Sequence, residues 1–136
     1  MSAILAAAYM NVKTIIAVDI IPERLKLALE LGATHTVDGR SPTAIQDVRD
    51  LTKNKSGTTY AVEASGNVKV LRNSYEALAP FGHVTSCGTP GPGVVVPIQI
   101  HENVCSGKTY SGTLMGNDNP NNVSRWVCDR SVASDV

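Results

Sequence analysis

Short apolar runs alternate along the chain with longer segments in which apolar residues recur at helical spacing. TIIAVD (14–19) is β-branched and apolar on both faces, which is typical of a strand inside a parallel sheet. The predicted strands are TIIAVD (14–19), THTVD (34–38), TTYAVEAS (58–65) and GHVTSCG (82–88). Strands that alternate with helices of about a dozen residues indicate right-handed βαβ crossovers. The pattern therefore predicts an α/β fold built on a parallel sheet.

Four segments show the spacing of amphipathic helices. Their apolar positions recur every three or four residues, which brings them to one face of a helix. Proline is favoured in the first turn of a helix and glycine just after its end. The predicted helices are an Ala-rich segment at 2–10, a segment between Pro22 and Gly32, a segment at 43–54, and a segment that carries Leu71, Tyr75 and Leu78.

The alternation of strands and helices ends after residue 88. VVVPIQI (94–100) is apolar enough for a strand, but Pro97 lacks an amide proton and confines such a strand to a sheet edge or a bulge. KTYSGTLMG (108–116) is a last strand candidate. Residues 123–136 show neither a clean period nor a helix cap, so no element is predicted there.

Composition and charge restrict the classes of function. The chain has 136 residues, of which 43% are hydrophobic, and its 12 basic and 12 acidic side chains cancel. We therefore expect one globular domain with no electrostatic attraction to nucleic acid or to an anionic membrane. No apolar run approaches the ~20 residues of a membrane-spanning helix, and the first ten residues lack the basic start of a secretory signal. A cytoplasmic chain is expected.

The cysteines point to free thiols. Cys87, Cys105 and Cys128 are odd in number and include no CxxC pair, and no histidine stands at zinc-ligand spacing from them. This arrangement argues against a disulfide framework and against a structural zinc site.

Asp19 is the most informative single side chain, because it ends an apolar strand directly before a predicted helix. In dinucleotide-binding sheets a carboxylate at this position accepts both ribose hydroxyls of the adenosine, and its charge repels the extra phosphate of NADP. An aspartate here could equally cap the following helix. The residue pattern leaves both interpretations open.

Three motifs together resemble a known family. AVDIIPERLKLALELGATHTVD, VEASGN and GHVTSCGTPGPG are similar, in order and spacing, to the nucleotide-binding domain of zinc-type medium-chain alcohol dehydrogenases. GTLMGNDNP is closest to the aryl-alcohol branch of that family. The resemblance implies a Rossmann-like, doubly wound parallel sheet, with a partial NAD-binding domain at 1–122 and a divergent tail at 123–136.

The resemblance also implies a cofactor site at the ends of the strands. Asp19 would hold the adenosine ribose with Arg24 beside the same sugar, and the turn after TTYAVE would pass under the adenine and ribose. The turn after GHVTS would line the nicotinamide. The implied cofactor-binding residues are Asp19, Arg24, Ala64, Ser65, Gly66, Cys87, Gly88, Thr89, Leu114 and Met115.

Several of these residues have a purely structural alternative. Arg24 could be a solvated helix residue, Gly66 a turn before a helix, and Cys87 a small buried residue at a strand end. The three histidines match no ligand or proton-relay position of the family, so we expect them to be structural or exposed.

Two parts of the family pattern are not found in the sequence. The first strand with its Gly-rich phosphate-binding turn should stand immediately before Met1, and the zinc-binding catalytic domain should lie upstream of that turn. We therefore assign no catalytic residue and no metal ligand, and we expect NAD binding to be weak or lost. The absent strand is central in this fold, so the 14–19 and 58–65 strands should expose their edges or pair directly. An isolated chain of this kind should be marginally stable, prone to self-association, or folded with a rearranged sheet.

The expected function is that of a fragment of an NAD-dependent zinc-type alcohol dehydrogenase acting on primary alcohols, aryl alcohols included. The fragment would supply cofactor positioning only, with NAD(H) as its partner. The alternatives are a non-catalytic nucleotide-binding or dimerisation module and a truncated gene model without independent function. A homodimer through the 94–100 edge strand is implied, because the family joins two sheets across a twofold axis there.

Overall fold

The structure is a computed structural model that describes residues 1–114 and 117. The helices are α1 (Ser2–Tyr9), α2 (Pro22–Glu30), α3 (Ala44–Asp50), α4 (Val68–Glu76) and α5 (Ile100–Ser106). The strands are β1 (Ile16–Asp19), β2 (His35–Asp38), β3 (Thr58–Glu63), β4 (Leu78–Ser86) and β5 (Thr109–Gly112). The predicted tail at 123–136 lies outside the described residues.

The strands form two separate parallel sheets. β1 pairs with β2, and β4 lies between β3 and β5. Within the described residues no hydrogen-bonded ladder joins β1 to β3. The prediction of an incomplete Rossmann-like α/β fold is confirmed. Of the two arrangements expected without a central strand, the structure shows unpaired edges and not direct pairing.

Each sheet carries its own apolar core. In the first sheet Ile15, Ala17 and Ala28 pack together, and α1 covers them with Ile4 and Ala8. In the second sheet α4 buries Leu71 and Tyr75 against Leu78 and Val84 of β4, together with partly buried residues of the 94–99 segment. The apolar stripe predicted for α4 therefore supplies the second core, whereas α2 buries only Ala28 and leaves Leu27 and Leu29 exposed.

A third cluster connects the two sheets. Val37 of β2 and Val48 of α3 pack against Ala77, which follows α4. Beside this cluster the Arg49 guanidinium Nη2 donates a hydrogen bond of 2.6 Å to the carbonyl of Glu76. Since no strand ladder links the sheets within residues 1–114, this contact of α3 with the end of α4 joins the two halves there.

One face of β1 and of β3 stays open in the described part of the chain. Val18 is 50% exposed and Val62 is 56% exposed, although both belong to strands predicted to be covered on both faces. The marginal stability and self-association expected from such open strands stay predictions.

No helix in the described part of the chain is both long and apolar enough to cross a membrane.

The strand predicted at 94–100 is wrong. Residues 94–99 belong to no helix or strand, and Ile100 begins α5, a helix that the hydrophobic pattern did not predict. Pro97 cannot donate to a ladder, and Val96 and Ile98 are instead partly buried against the core of the second sheet. The homodimer implied for this segment therefore lacks a preformed edge strand in the single chain.

Other boundaries shift by a few residues. Leu78, predicted to lie on the inward face of a helix, is the first residue of β4 and is 1% exposed. The helix predicted at 43–54 ends at Asp50 and is followed by a separate helical turn at Lys53–Lys55. Asn54 and Lys55 have positive φ angles of 56° and 54°, which an α-helix does not accommodate.

Phe81 interrupts β4 with an unusual backbone conformation. Thr58 pairs with Leu78 and Tyr60 with His83, so the intervening residues of β4 bulge out of the ladder. Phe81 lies in this bulge with a φ of 60°, and it is 82% exposed. A left-handed conformation costs a residue with a Cβ atom roughly 1–2 kcal/mol relative to glycine.

We expect Phe81→Gly to have a free energy of unfolding at least about 1 kcal/mol higher than Phe81→Ala. Both substitutions remove the exposed ring, but only glycine removes the backbone penalty. Urea unfolding followed by circular dichroism measures the difference. Equal midpoints for the two variants would show that the bulge relaxes without cost.

Candidate functional site

The predicted site residues lie at or shortly after the carboxyl ends of parallel strands. Asp19 ends β1, the turn 64–66 follows β3, the turn 87–89 follows β4, and Leu114 comes shortly after β5. Within each parallel sheet these ends share one edge, and in open α/β sheets ligands bind at that edge. Met115 lies outside the described residues.

Asp19 divides its two oxygens between the backbone and solvent. Oδ1 accepts hydrogen bonds from the amides of Ile20 (2.7 Å) and Ile21 (3.0 Å). Oδ2 lies 3.8 Å from Nη1 of Arg24, whose side chain is largely exposed. The helix cap is Ile21 and not Asp19, so the capping interpretation is wrong in its strict form. The Asp19 side chain is 26% exposed, and Oδ2 accepts none of the backbone hydrogen bonds that Oδ1 accepts, so Oδ2 is the oxygen that could accept from a ligand.

The turns after β3 and β4 are packed backbone against backbone. A Cβ atom on Gly88 would lie 2.1 Å from the amide nitrogen of Gly66, and one on Gly66 would lie 3.0 Å from the carbonyl oxygen of Thr89. Gly66 also has a φ of +69°, which favours glycine. Glycine is therefore required at both positions by the contact between the turns. We call residues 64–66 and 87–89 together the double turn.

Glu63 lies beneath the double turn, and the sequence analysis did not single it out. It is the last residue of β3 and is 2% exposed. Its Oε1 accepts hydrogen bonds from the amides of Ser65 and Gly66, and its Oε2 accepts one from the Ser86 hydroxyl. A glutamate inside an apolar strand, followed at once by Ala-Ser-Gly, was the available signal.

The side chains of the double turn are exposed, although the Ser65 hydroxyl donates a hydrogen bond inward to Glu63 Oε1. Ala64, Ser65, Cys87 and Thr89 are all exposed. The interpretation of Cys87 as a small buried residue is therefore wrong. Its amide donates a 2.8 Å hydrogen bond to the carbonyl of Glu63, while its thiol faces solvent. The double turn thus presents a surface of small side chains, and the buried main-chain carbonyl and carboxylate of Glu63 hold it from beneath.

Comparison with known proteins identifies the family. Residues 1–130 match the model of the family described as zinc-binding dehydrogenase. The chain belongs to this family. It is 32% identical over 88 residues to a sorbitol dehydrogenase of Bacillus subtilis and covers 25% of that protein. It is 28% identical over 102 residues to an alcohol dehydrogenase of Geobacillus stearothermophilus and covers 29% of it.

Solved structures share the fold of this zinc-binding dehydrogenase chain. Benzyl alcohol dehydrogenase from Acinetobacter calcoaceticus superposes with a TM-score of 0.91 and 28% identity, over 98% of this chain and 36% of that one. An alcohol dehydrogenase zinc-binding domain protein from Burkholderia ambifaria gives 0.82 and 36% identity, over 86% of this chain and 31% of that one. The chain therefore spans about a quarter to a third of these relatives, and the predicted family is confirmed.

The superposition also bears on how the two sheets are placed. A TM-score of 0.91 over 98% of the chain means that both sheets stand as the matching parts stand in the benzyl alcohol dehydrogenase. The family member described here thus keeps that arrangement although no ladder joins β1 to β3 in the described residues.

A second carboxylate stands next to Asp19 at the edge of the first sheet. Asp38 ends β2 directly opposite Asp19 in the strand register. Its carboxylate accepts a bidentate pair of hydrogen bonds from Arg40, at 3.0 Å from Nε to Oδ1 and 2.8 Å from Nη2 to Oδ2. The Arg40 guanidinium holds the pKa of Asp38 below its ordinary value through these bonds. Arg40 therefore neutralises the charge that would otherwise add to that of Asp19.

The family's metal does not fit the described residues. Among residues 1–114 and 117, no group of three His, Cys, Asp or Glu side chains is placed so as to hold a metal ion. A zinc site needs three or four such ligands. We assign no step through zinc to this part of the dehydrogenase.

We expect Gly88→Ala to lower the free energy of unfolding by about 1–3 kcal/mol, because the added Cβ would collide with the backbone of the facing turn. Gly91→Ala is the matched control, since a Cβ there meets nothing within 4 Å. It should stay within about 0.5 kcal/mol of the unsubstituted chain. Urea unfolding of both variants tests the contact, and equal stability would contradict it.

Proposed function

We propose that the chain forms the cofactor-binding part of an NAD-dependent zinc-type alcohol dehydrogenase. The observation that carries the proposal is the placement of a carboxylate with one accessible oxygen and of the double turn at the carboxyl ends of parallel strands. Membership of the zinc-binding dehydrogenase family supports it. The likeness to a benzyl alcohol dehydrogenase supports primary alcohols, aryl alcohols included, as the substrates of the whole protein.

The residues present fit a nicotinamide cofactor. Asp19 Oδ2 would accept from the adenosine ribose, and its charge would disfavour the 2′-phosphate of NADP. Ala64, Ser65 and Gly66 would lie beneath the adenosine. Cys87, Gly88 and Thr89 would line the nicotinamide side with Leu114 and Met115. When bound, the cofactor would exchange a hydride with the alcohol carbon, and this chain would bind and orient it.

Arg24 is the residue that could weaken the preference for NAD. An arginine near the ribose accommodates the 2′-phosphate of NADP, and Arg24 lies 3.8 Å from Asp19 on the exposed start of α2. A Sinorhizobium meliloti protein of the same fold, at 20% identity and a TM-score of 0.76, was solved bound to NADP. We favour NAD because the accessible carboxylate oxygen would face the added phosphate with like charge.

We expect Asp19→Asn to weaken NAD binding by roughly 10–100-fold, which corresponds to the 1.5–3 kcal/mol of a charge-assisted hydrogen bond. The asparagine oxygen can still accept from the Ile20 and Ile21 amides, so the strand end should keep its shape. Ligand-observed NMR, which detects weak binding, gives the affinities for NAD and NADP. NADP should bind as well as NAD to the variant.

Asp38→Asn is the control for this experiment. It removes the same charge from the neighbouring strand, at the position opposite Asp19. If Asp38→Asn weakens NAD as much as Asp19→Asn does, the effect is general electrostatics and the assigned role of Asp19 is wrong. The proposal expects weak but saturable NAD binding to the unsubstituted chain, and complete loss of that binding would contradict it.

The homodimer through residues 94–100 stays a prediction. Val95 is 77% exposed in a segment without strand partners, so a second copy could supply the missing ladder. We expect Val95→Lys to convert a dimer to a monomer, because an edge lysine opposes strand addition. Light scattering after size exclusion measures the mass. A monomeric unsubstituted chain would contradict the prediction, and so would a dimer that persists in the variant.

A further inference from the structure

Glu63 is a buried acidic side chain that the proposed function does not yet use. Only 2% of its surface is exposed, and it ends β3 at the edge where the cofactor would bind. A buried carboxylate is costly unless donors within the protein replace water. The donors of Glu63 therefore show what the residue is arranged to hold.

The first set of donors belongs to the turn after β3. Oε1 accepts from the Ser65 amide at 2.6 Å, from the Ser65 hydroxyl at 2.6 Å, and from the Gly66 amide at 3.0 Å. The Ser65 hydroxyl also accepts from the amide of Asn67, whose side chain caps α4. The carboxylate thus fixes the path of the chain from β3 into α4.

The second set of contacts reaches the turn after β4. Oε2 accepts a 3.0 Å hydrogen bond from the Ser86 hydroxyl, which also lies 2.9 Å from the carbonyl oxygen of Gly88. The main-chain carbonyl of Glu63 accepts from the amides of Cys87 and Gly88 at 2.8 and 3.3 Å. One residue therefore reaches both turns, each through different atoms.

We propose that Glu63 is the positioning residue of the double turn: its carboxylate sets the turn after β3 and the turn after β4 in one fixed relative placement. Gly66 and Gly88 are in close backbone contact, and the two carboxylate oxygens of Glu63 bond to the Gly66 amide on one side of that contact and to the Ser86 hydroxyl on the other. Glu63 is 2% exposed beneath the double turn, so its carboxylate would not reach a cofactor bound on the outer side of the turns. It acts through the exposed residues of the double turn, and its effect on binding rests on the proposed function.

The chemistry of the contacts predicts which substitutions replace Glu63. In Glu63→Gln the amide oxygen can still accept from Ser65 and Gly66, and the amide nitrogen can donate to the Ser86 hydroxyl, which keeps its own proton for the Gly88 carbonyl. Glu63→Ala removes the carboxylate contacts to Ser65, Gly66 and Ser86, keeps the main-chain bonds to the Cys87 and Gly88 amides, and leaves buried donors unpaired. Hydrogen bonding, not charge, is the required property, so glutamine should rescue and alanine should not.

The experiment compares the two variants in the full 136-residue chain by amide NMR and by NAD titration. In Glu63→Ala we expect the amide signals of both turns to shift, their exchange with solvent to rise, and NAD to bind at least about tenfold more weakly. In Glu63→Gln all three should stay close to those of the unsubstituted chain. Val48→Ala, in the cluster between the sheets, controls for a general loss of stability.

Each outcome decides the inference. It is overturned if Glu63→Ala leaves the 87–89 amide signals unchanged, or if Val48→Ala shifts the signals and raises the amide exchange of the double turn to the same extent. It is also overturned if Glu63→Ala changes the amides of both turns while NAD affinity is kept. Failure of Glu63→Gln to rescue also overturns it. If the unsubstituted chain binds no NAD, the proposed function fails. The positioning role is still upheld in that case if the amides of both turns shift and exchange faster in Glu63→Ala but stay unchanged in Glu63→Gln.

Discussion

A polar group that is buried away from water needs hydrogen-bond partners within the protein, and in this chain the Glu63 carboxyl group imposes that requirement at the point where two strands end. Its donors come from the turn after β3 and from the end of β4. The turns can approach each other only where side chains are absent, which accounts for Gly66 and Gly88. The shape of the candidate site therefore depends on a residue that the ligand would not touch.

The halves of the molecule are joined by packing and not by a ladder. Val37, Val48 and Ala77 form the apolar contact, and Arg49 adds a hydrogen bond to the end of α4. Such a contact has no register to define it, unlike a strand pair. Even so, the chain superposes on a benzyl alcohol dehydrogenase over 98% of its length. Packing of α3 against α4 is thus compatible with the family's placement of the two sheets.

Asp19 shows how one side chain can serve the fold and a ligand together. Its Oδ1 satisfies two amides in the turn from β1 to α2, and its Oδ2 stays accessible beside Arg24. The two interpretations drawn from the sequence were alternatives because a pattern of residue types does not separate two oxygens. The geometry assigns the backbone role to Oδ1, whereas ribose binding by Oδ2 remains the proposal.

Local patterns in the sequence predict the α/β class, all five of the described strands, four of the five described helices and the family, because period-two and helical spacing, turn residues and motif order are local properties. It also located the strand ends where the candidate site lies. Only the tertiary structure decided that 94–99 is no strand, that Leu78 opens β4, and that Cys87 faces solvent, since these outcomes depend on which neighbours offer ladder partners or cover. The role proposed for Glu63 also depends on the tertiary structure, because one of its hydrogen-bond donors is Ser86, which lies 23 residues away in the sequence, and no local pattern reveals that contact.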